Sequence, residues 1–131
     1  ADESGNSKDK KLKSLGQDFA GWGIPTVVSL AEVLATGGPV IASGGVRSGL
    51  DMAKGLAFGA DLCGMALPLL KPAMKDDNAL SGVIEAIHQE LTVAMFLTGS
   101  QRVADLRKAS LHITGRIRQM IEKDNPARIK R

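Results

Sequence analysis

Two short, largely apolar runs, Val40-Ile41-Ala42 and Ala60-Asp61-Leu62-Cys63-Gly64-Met65-Ala66, flank a segment with helical spacing. That order leaves few folds open. A brief β-branched run suits a buried parallel strand. Between the runs, Ser48 is placed to cap a helix with Asp51 near its start, and Gly59 is placed to end it. Leu50, Ala53 and Ala57 mark the buried stripe of that helix, with Leu56 beside it. Two parallel strands cannot be joined by a hairpin and need a crossover of this kind. The middle of the chain therefore reads as a βαβ unit.

The first turn of that unit carries the chemistry. Val40 to Ala42 runs into Ser43-Gly44-Gly45-Val46-Arg47-Ser48-Gly49. Paired glycines let backbone N–H groups approach an anion without Cβ obstruction. The following helix would aim its positive end at the same point. Arg47 adds a planar, permanently charged fork suited to phosphate. A Gly-Gly turn alone is more often only a tight strand–helix corner. The strand before it, Arg47 and the helix cap favour a phosphate grip. The turn lacks the Gly-Lys-Ser/Thr ending of a P-loop and the G-x-G-x-x-G of a dinucleotide fold.

Each strand is followed by a helix or helical turn, so two loops, 44–48 and 66–70, leave the same edge. In a (β/α)8 barrel, active sites lie at the C-terminal ends of the strands, and phosphates sit between the last two loops. Gly45, Val46 and Arg47 would hold one side of a phosphate, and the backbone N–H groups of Ala66 and Leu67 the other. The fold class expected is α/β: the C-terminal part of a (β/α)8 TIM barrel, with a terminal helical extension.

The rest of the chain divides around this unit. Residues 1–13 are polar and lysine-rich and read as a flexible lead-in. Leu12, Leu15 and Phe19 recur at helical spacing; Gly21 and Gly23 end that helix, with Trp22 packing near the corner. Residues 24–28 read as extended, and Ser29 with Glu32 forms a capping box for a helix carrying Leu30, Val33 and Leu34. After the second strand, Pro68 and Pro72 bracket a turn, and Asp76-Asp77-Asn78 marks a solvated loop. Ser81 opens a long helix with Ile84, Ile87, Leu91, Ala94 and Met95 on one face, closed by Gly99. Ser100 opens a shorter helix with Val103 and Leu106, and a last one spans about Gly115 to Lys123. Residues 125–131 form a basic tail.

Composition bounds the function classes. The 131 residues suffice for one core, 44% of them hydrophobic and only 3% aromatic, so aliphatic residues, Ala and Gly form most of it. The single cysteine, Cys63, excludes an intramolecular disulfide and fits a reducing, cytoplasmic setting. No apolar run approaches a membrane span, and the polar first residues show no signal-peptide pattern. Residues 102–131 hold nine Lys/Arg against three Asp/Glu, yet carry no aromatic residue for base stacking. They read as a solvated face or a subunit contact rather than a nucleic-acid site. His88 and His112 read as surface or packing residues, Cys63 as buried and inert, and Met52, Met65, Met74, Met95 and Met120 as core filler.

Several segments carry a resemblance. Phe19-Ala20-Gly21-Trp22-Gly23-Ile24-Pro25-Thr26, Ile41 through Asp51, Gly59 through Leu70, Glu90-Leu91 and Ala94-Met95-Phe96-Leu97-Thr98-Gly99-Ser100 resemble the C-terminal part of type 2 isopentenyl diphosphate isomerases. The Ser-Gly-Gly-Val-Arg turn is shared in outline by several flavin- and phosphate-binding barrels. The Gly-Met-Ala-Leu-Pro and Ala-Met-Phe-Leu-Thr-Gly segments are more specific. The resemblance implies a (β/α)8 barrel that binds FMN and interconverts isopentenyl and dimethylallyl diphosphate, with Mg2+ and NADPH also required. Carried over residue by residue, it places the FMN phosphate at Gly44, Gly45, Val46 and Arg47 from one loop and Ala66 and Leu67 from the next. It assigns no catalytic side chain and no metal ligand here.

The resulting expectation is the FMN-phosphate-binding portion of such an isomerase, in a homo-oligomer with no nucleic-acid or membrane partner. With two or three strands, too few to close a barrel, the 131 residues alone are expected to lack isomerase activity. Two alternatives stay open. One is another phosphate- or FMN-binding barrel, an oxidoreductase or an inosinate-type dehydrogenase. The other is a non-enzymatic interaction module using the basic tail.

Overall fold

A computed structural model describes residues 12–124. The expected features of residues 1–11 and 125–131 lie outside them, whereas residues 12 and 13 are already helical. The elements run α1 (12–18), α2 (Thr26–Leu34), β1 (Ile41–Ala42), α3 (Gly49–Phe58), β2 (Leu62–Cys63), α4 (Leu67–Lys75) and α5 (Asp77–Leu97). A 3-10 turn (Val103–Lys108) and α6 (Gly115–Asp124) follow.

The expected βαβ unit is present. β1 and β2 pair in parallel, with Ile41 opposite Leu62 and Ala42 opposite Cys63. Both strands are shorter than the apolar runs that contain them. The ladder extends at one end through the Val40 carbonyl, which accepts from the N–H groups of Asp61 (2.8 Å) and Leu62 (3.3 Å), and at the other from Gly64 N–H to the Ala42 carbonyl (2.8 Å). Side chains alternate across the sheet as strand geometry demands. Val40 and Ala42 are buried at 8% and 4% exposure, while Ile41 and Leu62 on the other face stand 63% and 61% exposed.

Three small apolar clusters hold the helices. Leu30, Val40, Ala42 and Ala60 join α2 to the sheet. Ala53, Leu56, Ala94 and Leu106 join α3, α5 and the 3-10 turn. Val28, Ala31 and Ile121 join α2 to α6. Each fully buried Val, Leu or Ile among them contributes roughly 1.5–3 kcal/mol, and each alanine less. The buried stripe of α3 is Gly49, Ala53 and Leu56 rather than Leu50, Ala53 and Ala57, since Leu50 is half exposed.

Several boundaries differ from the sequence reading, each through local chemistry. α2 begins at Thr26, not at Ser29: Pro25, with φ −57°, stands at its N-cap and its carbonyl accepts from Val28 and Ser29. Proline fits a helix start because its φ is already set and no N–H is wasted. α5 begins at Asp77, not at Ser81, because Asp76 caps it by accepting from the Ala79 N–H at 2.7 Å. The expected acidic loop is therefore a helix cap. The expected proline-bracketed turn is the helix α4: Pro68 lies in its first turn, where it is tolerated, and Pro72 lies inside it. Arg102, not Ser100, stands before the 3-10 turn, and its N–H donates to the Asp105 carboxylate at 3.0 Å. Trp22 is 80% exposed rather than packed at the corner, and its ring meets the Phe19 ring edge-on at 5.8 Å. Met74 is likewise exposed and fills no core. Ser48, Gly59 and Gly115 stand where the sequence placed them.

Candidate functional site

The two loops of interest leave the sheet at one end, because β1 and β2 are parallel and paired. Gly44 and Gly45 adopt φ of +85° and +82°, the left-handed region that other residues enter at a cost. Successive N–H groups in such a turn converge into a concavity that suits an anion. Among the described residues, no acceptor takes up the N–H of Gly44, Gly45 or Val46.

Three anchors hold this loop. The Thr26 hydroxyl, at the first position of α2, donates to the Gly44 carbonyl at 2.6 Å. The Asp51 carboxylate accepts from the Arg47 N–H at 3.1 Å. The Glu90 carboxylate, reaching from α5, accepts from the Gly49 N–H at 2.6 Å. Ser48 completes the end of α3 by accepting from the Asp51 N–H at 3.1 Å. The positive end of α3 is thus occupied by its own protein's acceptors, two of them carboxylates. The sequence reading aims this helix end at the anion; in the structure its Gly49 N–H is already taken by Glu90.

α4 starts differently. Ala66 stands at its N-cap with no side-chain cap bond, and no acidic residue lies in its first turn. The N–H groups of Ala66 and Leu67 have no acceptor among the described residues. Pro68 offers no N–H at all, which concentrates the donors of this helix end on the two residues before it. The Arg47 guanidinium is exposed and makes no ion pair among the described residues. The sequence-assigned residues therefore fall into two sets at one end of the sheet, Gly44–Arg47 after β1 and Ala66–Leu67 after β2. Both sets carry backbone donors without acceptors.

Sequence reasoning missed Thr26 and Glu90. Both lie in segments that carry the resemblance, but no spacing rule links them to a loop 18 and 41 residues away. The other titratable groups remain outside the site. His88 and His112 are exposed. Burial pushes the Cys63 thiol up, and its Sγ lies 3.6 Å from the Met52 carbonyl. At the opposite end of the strands, Asp61 accepts from the Val40 N–H at 2.8 Å and pairs with Arg107, and both hold its carboxyl below the usual carboxylate range. Among the described residues, no three His, Cys, Asp or Glu side chains gather as a metal site. No described helix is long and apolar enough to cross a membrane.

Comparison with known proteins gives this geometry its context. The sequence pattern of one family, FMN-dependent dehydrogenase, matches residues 18–113. The chain is 66% identical over 122 residues to an isopentenyl-diphosphate delta-isomerase of Methanoregula boonei, covering 93% of this chain and 34% of that protein. It is 46% identical over 114 residues to the isomerase of the same name from Methanothrix thermoacetophila, covering 87% of this chain and 32% of that protein. The like-named protein of Pyrococcus furiosus is 49% identical over 120 residues, covering 88% of this chain and 30% of that protein. The chain spans about a third of the length of the curated relatives it matches.

Proposed function

Because the chain belongs to the FMN-dependent dehydrogenase family, we propose that it is the C-terminal part of an isopentenyl-diphosphate delta-isomerase and binds the phosphate of FMN. The supporting observation is the pair of donor sets at one end of the sheet. Gly44, Gly45 and Val46 offer N–H groups from the first loop, and Ala66 and Leu67 offer them from the uncapped start of α4. A phosphate is a fitting ligand because it accepts several hydrogen bonds at once and carries the charge a helix N-terminus favours. Arg47 would close the grip with a charge-assisted bond.

When bound and reduced, FMN would supply the acid–base or electron-donating chemistry of the allylic proton shift. The residues of this chain bind and orient. The positive φ of Gly44 and Gly45 keeps Cβ atoms off the anion, and Thr26 holds the loop from the α2 side. Fixing one end of the cofactor in this way converts its affinity into orientation of the reactive ring. The substrate diphosphate, Mg2+ and NADPH are assigned to parts of the enzyme other than these residues. The remaining strands of a (β/α)8 barrel would pack on the exposed Ile41 and Leu62. A homo-oligomer in the cytoplasm is part of the same reading.

Another oxidoreductase of the family would keep the loop and change the chemistry. The names of the similar proteins favour the isomerase. The test is turnover of isopentenyl diphosphate by the complete protein with FMN, Mg2+ and NADPH, alongside FMN retention in Arg47→Ala. Turnover in the parent and weakened retention in the variant are expected. Absence of turnover overturns the isomerase, and unchanged retention overturns the role of Arg47.

A further inference from the structure

The start of α3 is built against the middle of α5 more tightly than packing alone requires. Gly49 is buried, and a Cβ there would lie 2.2 Å from the Ile87 carbonyl oxygen and 2.5 Å from the Leu91 nitrogen. Both obstacles are backbone. At this contact the Glu90 side chain takes the Gly49 N–H at 2.6 Å. Asp51 takes the Arg47 N–H, and Ser48 the Asp51 N–H. Arg47, Gly49 and Asp51 thus give up their N–H groups after three residues, Gly44 to Val46, whose N–H groups have no acceptor among the described residues; of the residues between, Ser48 and Leu50 keep theirs open as well.

This boundary has an electrostatic meaning. A helix N-terminus attracts an anion, and the first turn of α3 lies within a few residues of the Gly44–Val46 donors. Left open, it would compete for the same ligand in a second position. A carboxylate already bound there satisfies the N–H and repels a second negative charge. We propose that Glu90 is a positioning residue: by holding the Gly49 N–H from α5, it fixes the Gly44–Arg47 loop and confines a bound phosphate to residues 44–46 and 66–67. The inference rests on the phosphate-binding reading above.

The test uses the complete enzyme with Glu90→Ala and Glu90→Gln. The readouts are FMN dissociation constant and hydrogen–deuterium exchange of the segment around Gly49, with and without inorganic phosphate. Glu90→Ala is expected to weaken FMN about tenfold, the scale of one charge-assisted hydrogen bond. It is also expected to make exchange at Gly49 fast, and slow again when phosphate is added. Glu90→Gln keeps an acceptor oxygen, so it should recover part of the FMN affinity. In the parent, phosphate should leave Gly49 exchange unchanged. A merely structural glutamate would lower the melting temperature without creating phosphate-dependent protection at Gly49. FMN affinity unchanged in both variants, or no phosphate-dependent protection in Glu90→Ala, overturns the proposal. Arg47→Ala separates the two readings: if neither Arg47→Ala nor Glu90→Ala alters FMN binding, the phosphate site itself is wrong. If only Arg47→Ala does, the site stands and the role of Glu90 falls.

Discussion

α3 and α4 both begin just after a parallel strand, at the same end of the sheet, yet they present opposite surfaces to an incoming anion. At the start of α3, Glu90 takes the Gly49 N–H and Ser48 the Asp51 N–H, while Asp51 takes the N–H of Arg47 just before the helix. α4 has no side-chain cap and no acid in its first turn, and the N–H groups of Ala66 and Leu67 have no acceptor among the described residues. The two helix starts therefore differ in which of their N–H groups an acceptor has already taken. The difference lies in side chains rather than in the helices. In the proposed reading, the uncapped start of α4 is the one that meets the phosphate.

Substitutions can break or sharpen that contrast. The largest effect is expected at Gly49. An alanine inside an ordinary helix gains about 1 kcal/mol over glycine. At Gly49 its Cβ would meet the backbone of α5 at 2.2 Å, so Gly49→Ala is expected to lose about 3 kcal/mol, read as a lower urea midpoint. A midpoint equal to the parent's would mean that α3 and α5 are not in backbone contact. Next comes Ala66→Asp, which gives α4 the kind of acid that α3 already has. FMN affinity should fall about tenfold while the melting temperature holds or rises, because a capping acid stabilises a helix start and repels a phosphate. Affinity and stability falling together would point to damage rather than repulsion.

Gly45→Ala is expected to cost about 1–2 kcal/mol through its φ of +82° alone, since an added Cβ meets only ordinary contacts. Restoring the loop with a D-alanine at this position by semisynthesis should recover both stability and FMN binding. The smallest effect concerns Asp61, which does for the Val40 N–H what Glu90 does for Gly49. Its folded pKa lies below the unfolded value of ~3.9, so its stabilisation is present above that pH and lost as pH falls through the folded value. Asp61→Asn should therefore flatten the acid side of a midpoint-versus-pH curve and lower the midpoint slightly at neutral pH.

The legible parts of this molecule were those decided by neighbours in sequence. Ser48 and Asp51 announced α3, Gly59 its end, and the apolar run at Val40 the first strand. Where two caps competed, the choice was not readable: Asp76 and Ser81 both fit the start of α5, and Asp76 takes it by bonding Ala79. Pro25 starts α2 although Ser29 looks the better cap. The site was half legible. The donors of Gly44–Val46 and Ala66–Leu67 follow from local sequence, but the closing of α3 by Glu90 depends on where α5 comes to rest. No pattern of spacing encodes a bond across 41 residues.

The junction of α2 and α6 carries a consequence for how the chain comes into being. Val28 and Ala31, each 1% exposed, are buried in one cluster with Ile121, against which Ile117 and Met120 of the same helix also pack. A chain is made from its N-terminus, so α2 leaves the ribosome long before its cover exists. Contacts of such long sequence separation form late, and the surface they bury stays open to other chains in the interval. A chain halted short of Ile121 lacks the side chain that packs on Val28 and Ala31, so that patch of α2 stays partly bare until α6 is made.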